Sequence, residues 1–129
     1  MKAGMVIVGV IFLLAGFLGV SYAEPEWIVF YKGEKNHFFY DKSSIERPEK
    51  QRVIVVQKIV EVKDIDDTIE LFRTKFEIEC KGRTFKILSN TEFEEVTGRE
   101  LTSDQISANS KEGEILASKM SILRDNVCP

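Results

Sequence analysis

From Leu71 to Phe93 (LFRTKFEIECKGRTFKILSNTEF) apolar and polar residues alternate in two arms. In the first arm Phe72, Thr74, Phe76, Ile78 and Cys80 fall on one parity and Arg73, Lys75, Glu77 and Glu79 on the other. That spacing belongs to a strand with one face buried and one wet. The second arm places Phe85, Ile87 and Phe93 on one parity and Thr84, Lys86 and Asn90 on the other, with Leu88 out of step. The arms meet at Lys81-Gly82, where Gly82 is expected to supply the positive φ of a tight hairpin.

Upstream, Trp27 to Tyr31 (WIVFY) and His37 to Asp41 (HFFYD) read as two strands joined by a turn at Lys32 to Asn36, with Gly33 able to take positive φ. Asp41 to Pro48 (DKSSIERP) predicts a turn or single helical turn that ends before the proline and is anchored by Ile45. Gln51 to Lys63 (QRVIVVQKIVEVK) is the longest β-prone run. Val53 to Val56 are apolar at both parities, the pattern of a central strand covered on both faces. Asp64 to Thr68 (DIDDT) breaks the run and leads into the hairpin.

Beyond Phe93, Glu94 to Ser110 is polar and nearly aperiodic, so a long connection with at most a short strand or turn is expected. Leu116, Met120, Leu123 and Val127 then recur at steps of four, three and four, which is the stripe of a surface-laid helix. Ser118 suits an N-cap and Gly113 disfavours an earlier start, so the helix is predicted over Ser118 to Val127.

The chain has two cysteines, Cys80 and Cys128. A bridge between them requires Cα atoms within about 7 Å. Cys80 shares the parity of Phe72, Phe76 and Ile78, so Cys128 and its helix must then lie against that face. The predicted fold is α+β: an antiparallel sheet with one C-terminal helix packed on one face and tethered by a disulfide.

Met1 to Ala23 (MKAGMVIVGVIFLLAGFLGVSYA) has a basic start at Lys2, an apolar run from Met5 to Val20 and small residues at Ser21 and Ala23. This is the pattern of a signal peptide cleaved after Ala23, leaving 24–129 as one domain. As a helix the apolar run would reach only about 24 Å, short of the ~30 Å hydrocarbon core. The expected location is therefore periplasmic or extracellular, at the cell surface or free of it, with no stable membrane anchor after cleavage. An oxidising compartment also suits the bridge. The formal charge of −3 becomes one unit more negative when Lys2 is removed. Such a balance argues against nucleic acid and anionic lipid as partners.

Catalytic ingredients are sparse. Serine-histidine or cysteine-histidine catalysis would have to use His37, the single histidine, and the cysteines are better explained by pairing, so nucleophilic catalysis is not expected. Asp64, Asp66, Asp67 and Glu70 do not form an EF-hand, which would need glycine at Ile69 and glutamate at Lys75. Glu92, Glu94 and Glu95 have no apolar pocket in view to raise a carboxyl pKa. No cofactor, metal or catalytic residue is expected. The stripe Arg73, Lys75, Glu77 and Glu79 reads as the outer face of the sheet and a possible docking surface, with Trp27, Tyr31, Phe38 and Tyr40 as potential aromatic anchors.

Taken in order, Trp27, the FYDKSSI motif (Phe39 to Ile45), the long central strand, FEIEC (Phe76 to Cys80) followed by Arg83 and Phe85, and the closing Ser118 to Cys128 segment resemble the surface-adhesin E family of bacterial envelope proteins. The resemblance covers nearly all of the chain after the leader. It implies an antiparallel sheet with a disulfide-tethered C-terminal helix, and a non-enzymatic surface or periplasmic role. Two features depart from it: no acylated cysteine follows the leader, and Gly113 to Ala117 lacks the usual tryptophan and proline. The expected function is a non-catalytic, protein-binding module of the envelope. A structural or assembly accessory is the alternative, and a small enzyme the weakest reading.

Overall fold

The structure is a computed structural model that describes residues 24–94, 97, 99–104 and 109–129, with backbone alone for 101–104. The expected signal peptide lies outside the described residues. Seven strands form one sheet: β1 (Trp27–Lys32), β2 (Asn36–Asp41), β3 (Glu46–Glu49), β4 (Arg52–Asp64), β5 (Asp67–Glu79), β6 (Thr84–Phe93) and β7 (Glu100–Asp104). Their order is β1-β2-β4-β5-β6-β7, β3 also pairs β4, and every pair is antiparallel. Two short helices follow, α1 (Lys111–Leu116) and α2 (Met120–Val127).

The thirteen-residue strands β4 and β5 form the spine. On β4, Val53, Val55, Gln57 and Ile59 are buried, while the intervening Ile54, Val56 and Lys58 stay partly exposed. The strand is central as expected, but it is covered on one face, which corrects the two-faced reading. Valine and isoleucine at the outer positions had imitated a doubly buried run because β-branched residues suit half-exposed strands as well.

Leu88 is a β-bulge. Phe76 pairs with Ile87, but the next partner of Lys75 is Ser89, leaving Leu88 as the extra residue. A bulge reverses the faces beyond it. Asn90, expected on the wet parity, is therefore only 2% exposed, and Phe93 moves away from Phe85 and Ile87 to the opposite face. A similar shift at Phe30 lets Tyr31 as well as Phe30 pack against the core.

The hairpin turn runs through Cys80 to Arg83, and the positive φ falls at Arg83 (56°), not at Gly82. Gly33 does not use the positive φ open to it. That glycine is required for space, because a Cβ there would meet the Asn36 carbonyl oxygen at 2.9 Å.

Asp41 ends β2 by capping a 3₁₀ turn over Lys42–Ser44. Its Oδ1 accepts from the Glu26 N–H (2.8 Å), the Ser43 N–H (2.9 Å) and the Ser43 hydroxyl (2.6 Å). β2 and β3 flank the same strand on either side of this turn, and the Ser44 hydroxyl fills the gap by accepting from the Val56 N–H at 2.9 Å. The FYDKSSI motif is thus a joint that lets the chain leave and rejoin β4. β3 was not expected. It carries Pro48, and its four residues are all exposed, which is where a strand tolerates proline.

Cys80 and Cys128 are bridged, with Cα atoms 5.8 Å apart and a sequence separation of 48. The single helix predicted from Ser118 is corrected to two. Ser110 caps α1 by accepting from the Gly113 N–H, whereas Lys119 precedes α2 without a side-chain cap. Gly113 is buried and joins Leu116, Met120, Leu123 and Val127 in one stripe that continues across the break. These last four share a buried cluster with Val53, Val55, Ile59, Phe76, Ile78 and Ile87. Gln57 on β4 donates to the Leu116 carbonyl at 2.8 Å, satisfying an acceptor that the end of α1 would leave bare.

Candidate functional site

The sheet face opposite this cluster is its outer face. Register aligns Val29, Phe39, Lys58, Arg73 and Thr91 in one row across β1, β2, β4, β5 and β6. Trp27, two positions from Val29, reaches across the row. The Lys58 ammonium lies 4.3 Å from the Trp27 ring centre and 5.1 Å from that of Phe39. The Arg73 guanidinium lies 5.3 Å from the Trp27 ring centre and 5.9 Å from that of Phe93. Phe39, Lys58, Trp27, Arg73 and Phe93 thus form an unbroken alternation of rings and cations. All are partly buried except Arg73, which is exposed.

Charge within this chain is held in place. Glu70 grips Arg73 with both oxygens, at 2.8 Å to Nε and 2.7 Å to the terminal nitrogen. That fork-on-fork geometry fixes the guanidinium plane. Burial pushes the Lys58 ammonium below its ordinary pKa; Glu70 opposes the shift and Arg73 adds to it. The ring faces supply part of the attraction that water would otherwise give a half-buried cation.

Of the stripe proposed for docking, Arg73, Lys75, Glu77 and Glu79 all lie on this face, but they divide into two environments. Arg73 belongs to the aromatic chain, and Lys75, beside Val56 and Ser89, makes no ion pair among the described residues. Glu77 and Glu79 converge on Arg52, at 3.3 and 2.8 Å, with Glu49 at 3.3 Å on the same guanidinium. The hydrogen bond to Glu79 is the main reason that the Arg52 pKa is raised, reinforced by the charges of Glu49 and Glu77. The outer face therefore has a cationic aromatic part and a part where acids surround one arginine.

Only Trp27 among the four suggested aromatic anchors sits on this face. Phe38 and Tyr40 are core residues, and Tyr31 packs against the core with the Lys119 ammonium 4.2 Å from its ring centre. Phe39 and Lys58 were missed, although strict alternation in HFFYD and QRVIVVQKIV would have separated them from Phe38, Tyr40 and Ile59. Phe93 required knowledge of the bulge.

Glu95 lies outside the described residues, and the other acidic candidates do not converge. Asp64 accepts from the Ile65 N–H, Glu70 is engaged with Arg73, and Glu94 bonds Thr97 and Arg99. No group of three potential metal ligands occurs among the described residues. No helix among them is long and apolar enough to cross a membrane. No protein-family model, curated protein or solved structure matches the chain.

Proposed function

We propose that this chain is an exported, non-catalytic binding module of the cell envelope that docks a protein partner through the outer face of its sheet. The observation that carries this reading is the Phe39-Lys58-Trp27-Arg73-Phe93 chain. Tryptophan, other aromatics and arginine dominate the energetics of protein interfaces, because they combine large apolar area with a directed polar group. Here they are preassembled, so a partner would meet side chains whose ordering cost is already met. The helical segment laid against the opposite face closes that side and leaves this one for docking. The surface-adhesin E resemblance points the same way, and the bridge suits an oxidising compartment. Both cysteines are bridged, so neither offers a free thiol as nucleophile.

The test is capture from envelope extract by the wild-type protein and by a double variant, Arg73→Glu with Lys75→Glu. A partner should bind the wild type and lose affinity for the variant by about tenfold or more, most strongly at low salt where charge is least screened. Unchanged circular dichroism and melting must accompany the loss. Affinity indifferent to both substitutions moves the docking face elsewhere. A partner that co-purifies in fixed stoichiometry and cannot be exchanged favours the assembly-accessory reading, and turnover of a substrate ends the non-catalytic one.

A further inference from the structure

The β5–β6 turn and α2 meet at the disulfide, where a cavity of about 500 Å³ opens beside the bridge. Arg83 from the turn and Arg124 from the helix line it, together with Ser121, Gln51 and Pro129. Neither arginine makes an ion pair with a described carboxylate, although Asp125 lines the same cavity. The Nε of Arg124 is buried with no hydrogen-bond partner. A guanidinium does not shed its charge, so this donor is a buried polar group waiting for an acceptor.

The backbone carries a second, separate sign. Arg83 holds a φ of 56°, a left-handed conformation costly for a residue with a side chain, while neighbouring Gly82 takes an ordinary one. Exchanging the two would relieve the turn. The observed order instead places an arginine in the lining of the cavity.

We infer that this cavity binds a phosphoryl group, with Arg83 and Arg124 on its oxygens and Ser121 and Gln51 as neutral donors. Donors arriving from a turn, a helix and the residue before β4 surround a tetrahedral oxyanion better than a planar one, and arginine forks suit phosphate geometry. The volume lies in the ~300–1,000 Å³ range of small-molecule sites, so it admits an organic portion as well as the phosphate. The site shares no residue with the outer-face chain and does not rest on the docking proposal. Arg83 stands three residues after Cys80 and Arg124 four before Cys128, so the bridge sets the distance between the cations.

The experiment titrates purified, oxidised protein with inorganic phosphate, glycerol 3-phosphate and acetate at constant ionic strength, followed by amide chemical shifts. Saturable shifts at Arg83, Ser121 and Arg124 are expected with both phosphates, and weaker ones with acetate. Arg124→Gln should weaken phosphate binding by about tenfold or more, the worth of a charge-assisted hydrogen bond. Arg83→Gly should weaken it similarly while raising the melting temperature, opposite signs that a merely misfolded variant cannot give. Reduction of the bridge should also weaken binding, and bound phosphate should slow that reduction, as linkage requires. Phosphatidylcholine vesicles with and without phosphatidic acid separate the sources. Association that needs phosphatidic acid and is lost in Arg124→Gln assigns a lipid headgroup, whereas phosphate binding without association assigns a soluble phosphorylated ligand. The proposal is overturned by absence of saturable shifts, by equal affinity for acetate, or by affinity that neither substitution changes.

Discussion

Replacing Asp41 with alanine should cost about 2–3 kcal/mol, a value that follows from what its carboxylate holds. Asp41 is 8% exposed, and one oxygen accepts from the Glu26 N–H, the Ser43 N–H and the Ser43 hydroxyl. Hydrogen bonds to a charged acceptor contribute roughly 1.5–3 kcal/mol each, but they are not additive when they share one atom. Glu26 and Ser43 are exposed, so their freed donors can return to water, which removes most of the penalty for unmade bonds. The remaining loss includes the cap of the 3₁₀ turn, worth ~1 kcal/mol, and the alignment of Ser44 beneath the Val56 N–H. A loss of that size lowers the melting temperature by roughly 8–20 °C in a domain of this size. Chemical and thermal unfolding of Asp41→Ala and Asp41→Asn provide the assay. Asparagine keeps a carbonyl acceptor in place and should recover about half of the loss. If alanine costs under about 0.5 kcal/mol, the magnitude of an ordinary surface substitution, the motif is not the joint described here.

Opening the Cys80–Cys128 bridge, by reduction or paired serine substitution, should remove about 4 kcal/mol on the chain-entropy account of its 48-residue separation; an unmoved denaturation midpoint after verified reduction counts against this. The glycines should behave oppositely to their sequence contexts. Gly33→Ala drives a Cβ to 2.9 Å from a carbonyl oxygen and should cost about 1–3 kcal/mol, whereas Gly82→Ala meets nothing nearer than the Thr84 hydroxyl at 3.8 Å and should be neutral or stabilise by ~0.4–1 kcal/mol. Urea melts of the two variants decide between these signs. Lys58, held below its ordinary pKa chiefly by burial, binds its proton less readily folded than unfolded. Its penalty is therefore full below the folded pKa and is relieved as pH rises toward the unfolded value. Stability profiles of wild type and Lys58→Met in alkaline solution should differ by this rising component; parallel curves would contradict it.

Local periodicity determined much of this protein. The strands β1 and β2, the alternation of the β5–β6 hairpin, the stripe ending at Val127 and the pairing of two cysteines could all be read along the chain. Each depends on which side of an element a residue occupies, and that is written at a spacing of two, three or four. The outer-face location of Arg73, Lys75, Glu77 and Glu79 was legible for the same reason. Tertiary structure decided what depends on register between distant segments. The bulge at Leu88 shows as a break in alternation, but only pairing with β5 turns Asn90 inward and carries Phe93 beside Arg73. Gln57, polar within an apolar run, acquires its role from a helix carbonyl 59 residues away. Trp27 reaches Lys58 and Arg73 because β2 lies between β1 and β4, an order that no local pattern encodes. Composition alone favoured positive φ at Gly82, whereas the geometry joining β5 to β6 put it at Arg83. A residue's neighbours along the chain set its face and its propensity; its neighbours across the sheet set its partners, and in this protein the candidate sites are made of partners.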